Sequence, residues 1–563
     1  MVATEKKPKR LVLARISRLL ACLGAMAVTS LYLCYKLTHN DGPSAEPSTY
    51  RSQIKTGSTC AAACAGAGDE WLADVGEPFA YVAGDGEIDP GDCVCIRAVV
   101  PQNNRSSGSS DEYRPIPGWP TDSLMVDIVM DSSDDPLYKD ARVTVSVDMR
   151  ERTSQMAGIR RYQGVAQLYD PGVYELDARL EYRAGQWNAE AAGQPMVRYN
   201  EQLMANSGGA VHVRTGHTHP THLSRHQKQP LCTEADASGR WIPLANLPGK
   251  WHKQQHLPAA EDGRVWIPYH CRLRQVSYAE FAYHMAHIHP SVHWFGDSNS
   301  RRTLRPFVMG GQWCHEANTT ERLDCLCNDA PKDLFPSEWY PQMPVPHWYR
   351  VYGTGVDSSE IYADLRRPPH NRSPVDARPL APTGGFAKRR DFFDLYYLFT
   401  RGTLDMYGSH WARDISAAAA SPLPRASLVV VQLVTWDVAF GEFAQFAHHV
   451  EQLAMRLRSV YPHARFVYRS GPYWCCRAAE TADKRYSRLR FMAFDQHARM
   501  VFRRMLDARV WDVMGPQAAR PPESKRLAQN MPCRSAHTRS ELIHIDNQLL
   551  MNMVANSHNT VQF

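Results

Sequence analysis

Two short stretches of this 563-residue chain hold residues suited to acyl chemistry: WFGDSNSRR at 294–302 and RSELIHIDNQLLMNMVANS at 539–557. A serine hydroxyl such as that of Ser298 is a poor nucleophile near neutral pH. It needs a neutral histidine within hydrogen-bond reach, itself oriented by a carboxylate. Glu541 and His544 are three residues apart, so in a helical turn or tight loop both side chains project to one side and the carboxylate can hold the imidazole. Asp546 is an alternative partner, but an i, i+2 spacing in a helix points it elsewhere, and its replacement by alanine is expected to leave most activity. Gly296 permits a tight backbone path into Asp297 and Ser298. A helix starting there would direct its amide groups and positive dipole end towards an oxyanion on the substrate. The plainer reading is an ordinary helix N-cap, where Asp and Ser after Gly are common. A positive charge in the first helical turn opposes the dipole, so Arg301 or Arg302 should pair with a carboxylate or an acidic substrate.

Such a site requires strand, turn and helix in succession at the carboxyl edge of a parallel sheet, where α/β folds place their ligand crevice. VHWF at 292–295 supplies the apolar strand. Before it, VSYAEFAYHMAH opens with Ser277 and Glu280 at capping-box spacing and puts Phe281, His284 and Met285 on one helical face. After it, SLVVVQLVTW at 427–436 reads as a buried strand, and ARFVYR at 464–469 as another. Between them Phe443, Phe446, Ala447, Val450, Leu453, Ala454 and Leu457 keep the spacing of an amphipathic helix. A further helix around 484–508 leads into RVWDV at 509–513. Strands separated by helices predict a parallel sheet with crossover connections.

Upstream, between 71 and 215, the pattern has period two. ARVTVSVDM at 141–149, GVYELDARLEY at 172–182 and AVHVR at 210–214 are short alternating runs, and Tyr174, Leu176, Ala178, Leu180 and Tyr182 share one face. YDPG at 169–172 supplies a turn. Together they predict an antiparallel β-sandwich.

The N-terminus carries Lys6, Lys7, Lys9, Arg10, Arg15 and Arg18 before an uncharged run from 19 to 35. This predicts a cytoplasmic tail (1–18), a transmembrane signal-anchor (19–35) and a Gly/Ser/Pro-rich stem (36–70), with the body on the lumenal side. A β-sandwich domain (71–215), a linker (216–230) and an α/β domain (231–563) follow. Of the 14 cysteines, Cys22 and Cys34 fall in the anchor, and an even number remains. An oxidising compartment would pair many of them, and C-x-C and C-C spacings do not suit a zinc ribbon, so disulfides are expected and no metal. Sequons at Asn104, Asn318 and Asn371 agree. His217, His219, His222 and His226 fit an exposed polar linker. A net charge of +6 on this length, without a basic block interleaved with aromatics, gives nucleic-acid binding no support.

Four blocks in order resemble the PC-esterase branch of the SGNH (GDSL-like) acyl-esterase and acyltransferase superfamily. That branch includes plant polysaccharide, sialic-acid and fungal capsule O-acetyltransferases and the neurexophilin-and-PC-esterase proteins. LCTEADASGRW with VWIPYHCRLR is similar to the start of the domain, FGDSNSRR to its Gly-Asp-Ser-x-x-Arg block, FVYRSGPYWCC to its strand-plus-loop segment, and ELIH falls where the family has Asp-x-x-His. The resemblance implies an SGNH-like (flavodoxin-like) parallel sheet flanked by helices over 231–563. It implies Ser298 as nucleophile, His544 as base and the residue at 541 as acid, with Gly296, Asp297 and Arg301 in support. Position 541 is Glu rather than the family's Asp. Gly310, Gly311, Gly353 and Gly355 are candidates for further oxyanion donors.

The function this implies is lumenal glycan O-acyl transfer, with acetyl as the expected group, at a Golgi or other secretory-pathway membrane in single-pass type II orientation. The expected partners are a glycan or polysaccharide and the membrane. No cofactor is expected to be held permanently. The acyl donor is open; acetyl-CoA, one candidate, is cytosolic, so a partner transporter or another acyl source is implied. A carbohydrate acyl-esterase with the same residues is one alternative, and a catalytically silent glycan- or protein-binding protein is the other.

Overall fold

The computed structural model describes residues between 58 and 557, and all of them belong to one unit, Lys55–Phe563. Outside the description are 1–57, 67–70, 72–75, 103–115, 153–157, 184–186, 188–201, 207–209, 215–227, 235–237, 250–258, 309–346, 353–391, 405–410, 417–424, 473–486, 520–539, 558–563 and gaps of one or two residues. The anchor at 19–35, the three sequons, the four linker histidines and Gly310, Gly311, Gly353 and Gly355 all lie there. Among the described residues no helix is long and apolar enough to cross a membrane.

Helix α1 (Ser58–Gly66) precedes strands β1 (Phe79–Ala83), β2 (Glu87–Ile88), β3 (Cys93–Pro101), β4 (Ser123–Ser132), β5 (Thr144–Val147), β6 (Arg150–Arg152), β7 (Ile159–Gln167), β8 (Gly172–Tyr182), β9 (Gln202–Leu203), β10 (Ala205–Asn206) and β11 (Val211–Val213). They form two sheets, β10-β1-β3-β7-β6 and β2-β11-β8-β4-β5, with β9 added to β8. The long pairs are antiparallel, and only the short β1–β10 and β11–β2 contacts are parallel. Alternation places Ile96, Ala98, Val126, Ile128, Tyr174, Ala178 and Leu180 in one shared core. Cys60 and Cys64, one turn apart on α1, bond to Cys93 and Cys95, which share a face of β3.

Hairpin β12 (Gly239–Pro243) and β13 (Arg264–Pro268) has apolar residues on both faces. Ile242, Val265 and Ile267 enter the core of the two sheets, whereas Trp241 and Trp266, directly opposite each other, enter the core of the following α/β layer. On the sheet side, buried Arg240 pairs with buried Asp170 at 3.2 Å. Trp241 donates to the Pro516 carbonyl at 3.1 Å on the other. A strand that packs on both faces loses the polar half of its alternation, so the hairpin has no period-two signature.

The α/β layer runs α2 (Tyr278–Ile288), β14 (Ser291–Gly296), α3 (Ser298–Val308), β15 (His347–Tyr352), β16 (Phe392–Phe399), β17 (Leu428–Gln432), α4 (Thr435–Phe440), α5 (Phe443–Val460), β18 (Arg465–Arg469), α6 (Arg488–Leu506), β19 (Arg509–Trp511), α7 (Met514–Ala518) and α8 (Ser540–Ser557). Its sheet has the order β15-β16-β14-β17-β18-β19, parallel except for β15 at the edge. The five parallel strands, renumbered along the chain, therefore lie in the order 2-1-3-4-5, that of flavodoxin-like folds, with the reversal between β14 and β17. The stretch 427–436 is not one strand: pairing stops at Gln432, and Thr435 already opens α4. The amphipathic helix over α5 buries Phe446, Val450, Leu453, Ala454 and Leu457 as its spacing predicts.

Candidate active site

Gly296 is the last residue of β14 and Ser298 the first of α3, so the serine stands at the carboxyl edge beside the strand-order reversal. That is where an open α/β sheet forms its crevice. Gly296 cannot carry a side chain: a Cβ would lie 2.6 Å from the Ser300 Cβ and 3.2 Å from the Gln432 Cβ. Tyr397, on neighbouring β16, donates to the carbonyls of Gly296 and Asp297 at 3.1 and 2.9 Å and fixes the turn. Ser298 itself is half-buried.

Asp297 points inward as the cap of α3. Its Oδ1 accepts from the amides of Asn299 at 2.8 Å and Ser300 at 3.4 Å and from Gln432 Nε2 at 3.1 Å. Those two amides serve the cap rather than a substrate oxyanion, which corrects the expectation that the helix end as a whole faces the substrate. Burial raises the Asp297 carboxyl above its ordinary range, against the Thr435 hydroxyl and the two amides, which favour the charged form. Gln432 Oε1 in turn accepts from Ser300 Oγ at 2.5 Å and from Arg469 at 2.9 Å. Arg469 reaches Asp546 at 3.3 Å, and Gln517 donates to the same carboxylate oxygen at 2.8 Å. A buried polar chain thus runs from the serine turn across the ends of β17 and β18 to α8. None of its middle members was marked by the sequence, because interior Gln and Arg read as surface residues.

Helix α8 descends from the same edge. Asp546 meets the last residue of β18, while Leu550 and Val554 reach the cavity lined by Phe393 and Leu428 at the opposite ends of β16 and β17. Helix α3 runs the same way, and Asn547 Nδ2 donates to the Thr303 carbonyl at 3.1 Å. Ser298 lies five residues before Thr303 and His544 three before Asn547, about 7.5 and 4.5 Å along the two axes at 1.5 Å per residue. The structure therefore brings Ser298 and His544 to one end of one helix pair. Glu541 lies in the first turn of α8, and its side chain is outside the described residues. Asp546 lies across the helix from His544 and is committed to Arg469.

His544 is half-buried, and burial lowers its pKa, so the imidazole is neutral near neutral pH. Its Nδ1 lies 3.1 Å from the Tyr278 hydroxyl. Arg301 rests its guanidinium 5.1 Å from the centre of the Phe399 ring, and Arg401 lies 5.5 Å from the same ring and 5.2 Å from that of Trp436. Around this loop Val434 takes a positive φ of 87°, rare for a β-branched residue. Its amide donates to Asp437 at 3.1 Å, and Thr403 holds the other carboxylate oxygen through its amide at 2.9 Å. Burial pushes Asp437 up to about 6. Among the described residues no group of three or more His, Cys, Asp or Glu side chains could hold a metal ion.

No family model and no curated protein matches the chain. Similar solved structures include a carbohydrate esterase family 2 enzyme with a carbohydrate-binding domain from Corynascus thermopiles (Myceliophthora fergusii). It is 11% identical, covers 84% of this chain and 95% of its own, and has a TM-score of 0.23. A family two carbohydrate esterase from Clostridium thermocellum in complex with cellohexaose is 11% identical, covers 84% and 94%, and has a TM-score of 0.24. One from Cellvibrio japonicus is 10% identical, covers 84% and 91%, and has a TM-score of 0.17. At such scores the likeness carries no argument about activity, so the functional reading rests on the residues themselves.

Proposed function

We propose that this chain transfers acyl groups to or from a carbohydrate through Ser298, with His544 as base. The observation that carries the reading is the placement of Ser298 at the strand-order reversal and of His544 at the same end of the helix packed beside α3. Ser298 Oγ attacks the acyl carbonyl while its proton passes to His544 Nε2. The carbonyl carbon then loses its bond to the donor's oxygen or sulfur, and that leaving group takes the proton from Nε2. In the second half a sugar hydroxyl, or water in the esterase alternative, gives its proton to Nε2 and attacks the acyl-serine, and Ser298 leaves with that proton. The Ser298 amide is the proposed oxyanion donor, and Glu541 is the acid that the family pattern implies.

O-acyl transfer to a glycan, with acetyl as the group and a transporter-fed donor such as acetyl-CoA, is the finer form of this proposal. A lumenal body on a single-pass type II anchor belongs to it and rests on the sequence at 1–70. A fluorophosphonate probe tests the core of the reading. Labelling of the folded wild type that disappears in Ser298→Ala is expected, together with release of acetate from an acetylated oligosaccharide. A folded wild type that does not label would leave the catalytically silent binding protein as the better account.

A further inference from the structure

A serine–histidine pair works only if the base presents a bare Nε2, and that requires a proton on Nδ1 with an acceptor to hold it. The group facing Nδ1 here is a phenol. Ser277 caps α2 by accepting from the Glu280 amide at 3.0 Å, which makes Tyr278 the first helical residue. The Tyr278 ring stands edge-on to Phe307 of α3 at 5.3 Å and to His544 of α8 at 6.2 Å, so it fills the junction of three helices. Its oxygen lies 3.1 Å from His544 Nδ1 and receives a hydrogen bond from Asn547 Nδ2 at 3.2 Å. The orientation of Asn547 is decided by its other partner: the same nitrogen donates to the Thr303 carbonyl, which can only accept. One lone pair of the phenol is therefore occupied by a fixed donor, and the remaining acceptor site is available to Nδ1.

We propose that Tyr278, fixed by Asn547, is the positioning residue that accepts the Nδ1 proton of His544 and so directs Nε2 at Ser298. This rests on the proposed function. In the step itself the Ser298 proton moves to Nε2, the Nδ1 proton stays on Nδ1 and keeps its bond to the phenol oxygen, and Tyr278 keeps its own proton throughout. Burial raises the Tyr278 pKa, which keeps the phenol neutral. The described carboxylates on the neighbouring elements have other duties. Glu280 of α2 is held by Arg274 at 2.6 Å and lies 3.5 Å from His284, and Asp546 of α8 faces Arg469. The cations of α3 nearest this level are Arg301, Arg302 and Arg305, with Arg301 placed over Phe399. Glu541 is the rival acceptor from the start of α8.

The test compares wild type, Tyr278→Phe and Glu541→Gln in the rate of fluorophosphonate labelling across pH 5–8, with melting temperature recorded for each. Tyr278→Phe preserves the ring against Phe307. It is expected to label about tenfold more slowly, the loss of one hydrogen bond to the base, with the pH midpoint moved down because the imidazolium loses its acceptor. The loss in Glu541→Gln is expected to be smaller. The reverse order, or a Tyr278→Phe profile that matches wild type in rate and midpoint, overturns the assignment. Nitrogen-15 spectra of the wild-type histidines give an answer that needs no variant. A neutral His544 protonated on Nδ1 supports the assignment, and one protonated on Nε2 refutes it. Failure of wild type itself to label is a different result, one that removes the nucleophile assignment and this inference with it.

Discussion

Arg469 and Asp546 face each other at 3.3 Å with both side chains fully buried. This pair decides what Asp546 does: it anchors α8 to the end of β18 rather than orienting His544. Replacement by alanine, expected from spacing alone to be mild, would instead leave a guanidinium buried without its carboxylate. Breaking such a pair costs about 3–5 kcal/mol. Asp546→Ala should therefore lower the melting temperature strongly and lose activity with it. Burial lifts Asp546 to about 7, so the neutral isostere Asp546→Asn should cost less. A thermal melt of both variants checks the order, and an Asp546→Ala protein with the wild-type melting temperature would contradict it.

Burial lowers the pKa of His544 from the ordinary value of 6.5. For a histidine with a depressed folded pKa, the contribution to stability is fully present above 6.5 and is lost as pH falls through the folded value. The base form of the folded protein titrates at the folded value itself rather than at 6.5, so serine labelling should hold its plateau below pH 6.5 and fall only in more acidic solution. A midpoint at or above 6.5 would mean that His544 sits in a wetter or more negative setting than the one described.

Much of this scaffold is legible in the sequence where one face of an element is wet. The alternation of β8 and the helical spacing of α5 mark their own buried sides, and Gly-Asp-Ser marks the turn into α3. Strand β16 and the β12–β13 hairpin are packed on both faces, so neither carries the polar positions that a periodic pattern needs. The site is harder to read than the fold for a related reason. Gln432, Arg469 and Tyr278 matter because of partners brought close only by folding: Asn547 and Thr303, which lock Tyr278 in place, are 244 positions apart. No local pattern distinguishes a buried Arg bridging two elements from an exposed one.

Gly296 gives a sharper test of the serine turn than Ser298, because it probes packing without touching the nucleophile. Its added methyl would press on Ser300, whose Oγ donates to Gln432 at 2.5 Å. Forcing a carbon into such a space costs about 1–3 kcal/mol, and the displacement falls on the first turn of α3. Gly296→Ala should lower both stability and labelling rate. Adding Ser300→Gly removes the atoms in the way, so the double variant should regain part of the stability lost by Gly296→Ala. Strict additivity of the two changes would show that the contact is not the cause.

Cys232 and Cys271 are bonded across 39 positions and enclose the two-faced hairpin. The bond holds the backbone contact between Leu231 and Arg272, and the Cys232 carbonyl accepts from Asn556 near the end of α8 at 2.8 Å. It therefore closes a loop whose side chains enter both cores and ties that loop to the helix bearing His544. For a closed loop of this length the chain-entropy account gives about 3–4 kcal/mol. Replacing both cysteines by serine should lower the denaturation midpoint accordingly, and under reducing conditions, which open the sandwich-side pairs as well, wild type and variant should converge. The sandwich-side pairs Cys60–Cys93 and Cys64–Cys95 fasten α1 to β3 instead. Their removal should cost stability there while leaving the fluorophosphonate labelling rate of the folded protein near that of wild type. A loss of labelling as large as that from Cys232→Ser/Cys271→Ser would mean that the serine turn depends on the sandwich as directly as on the hairpin.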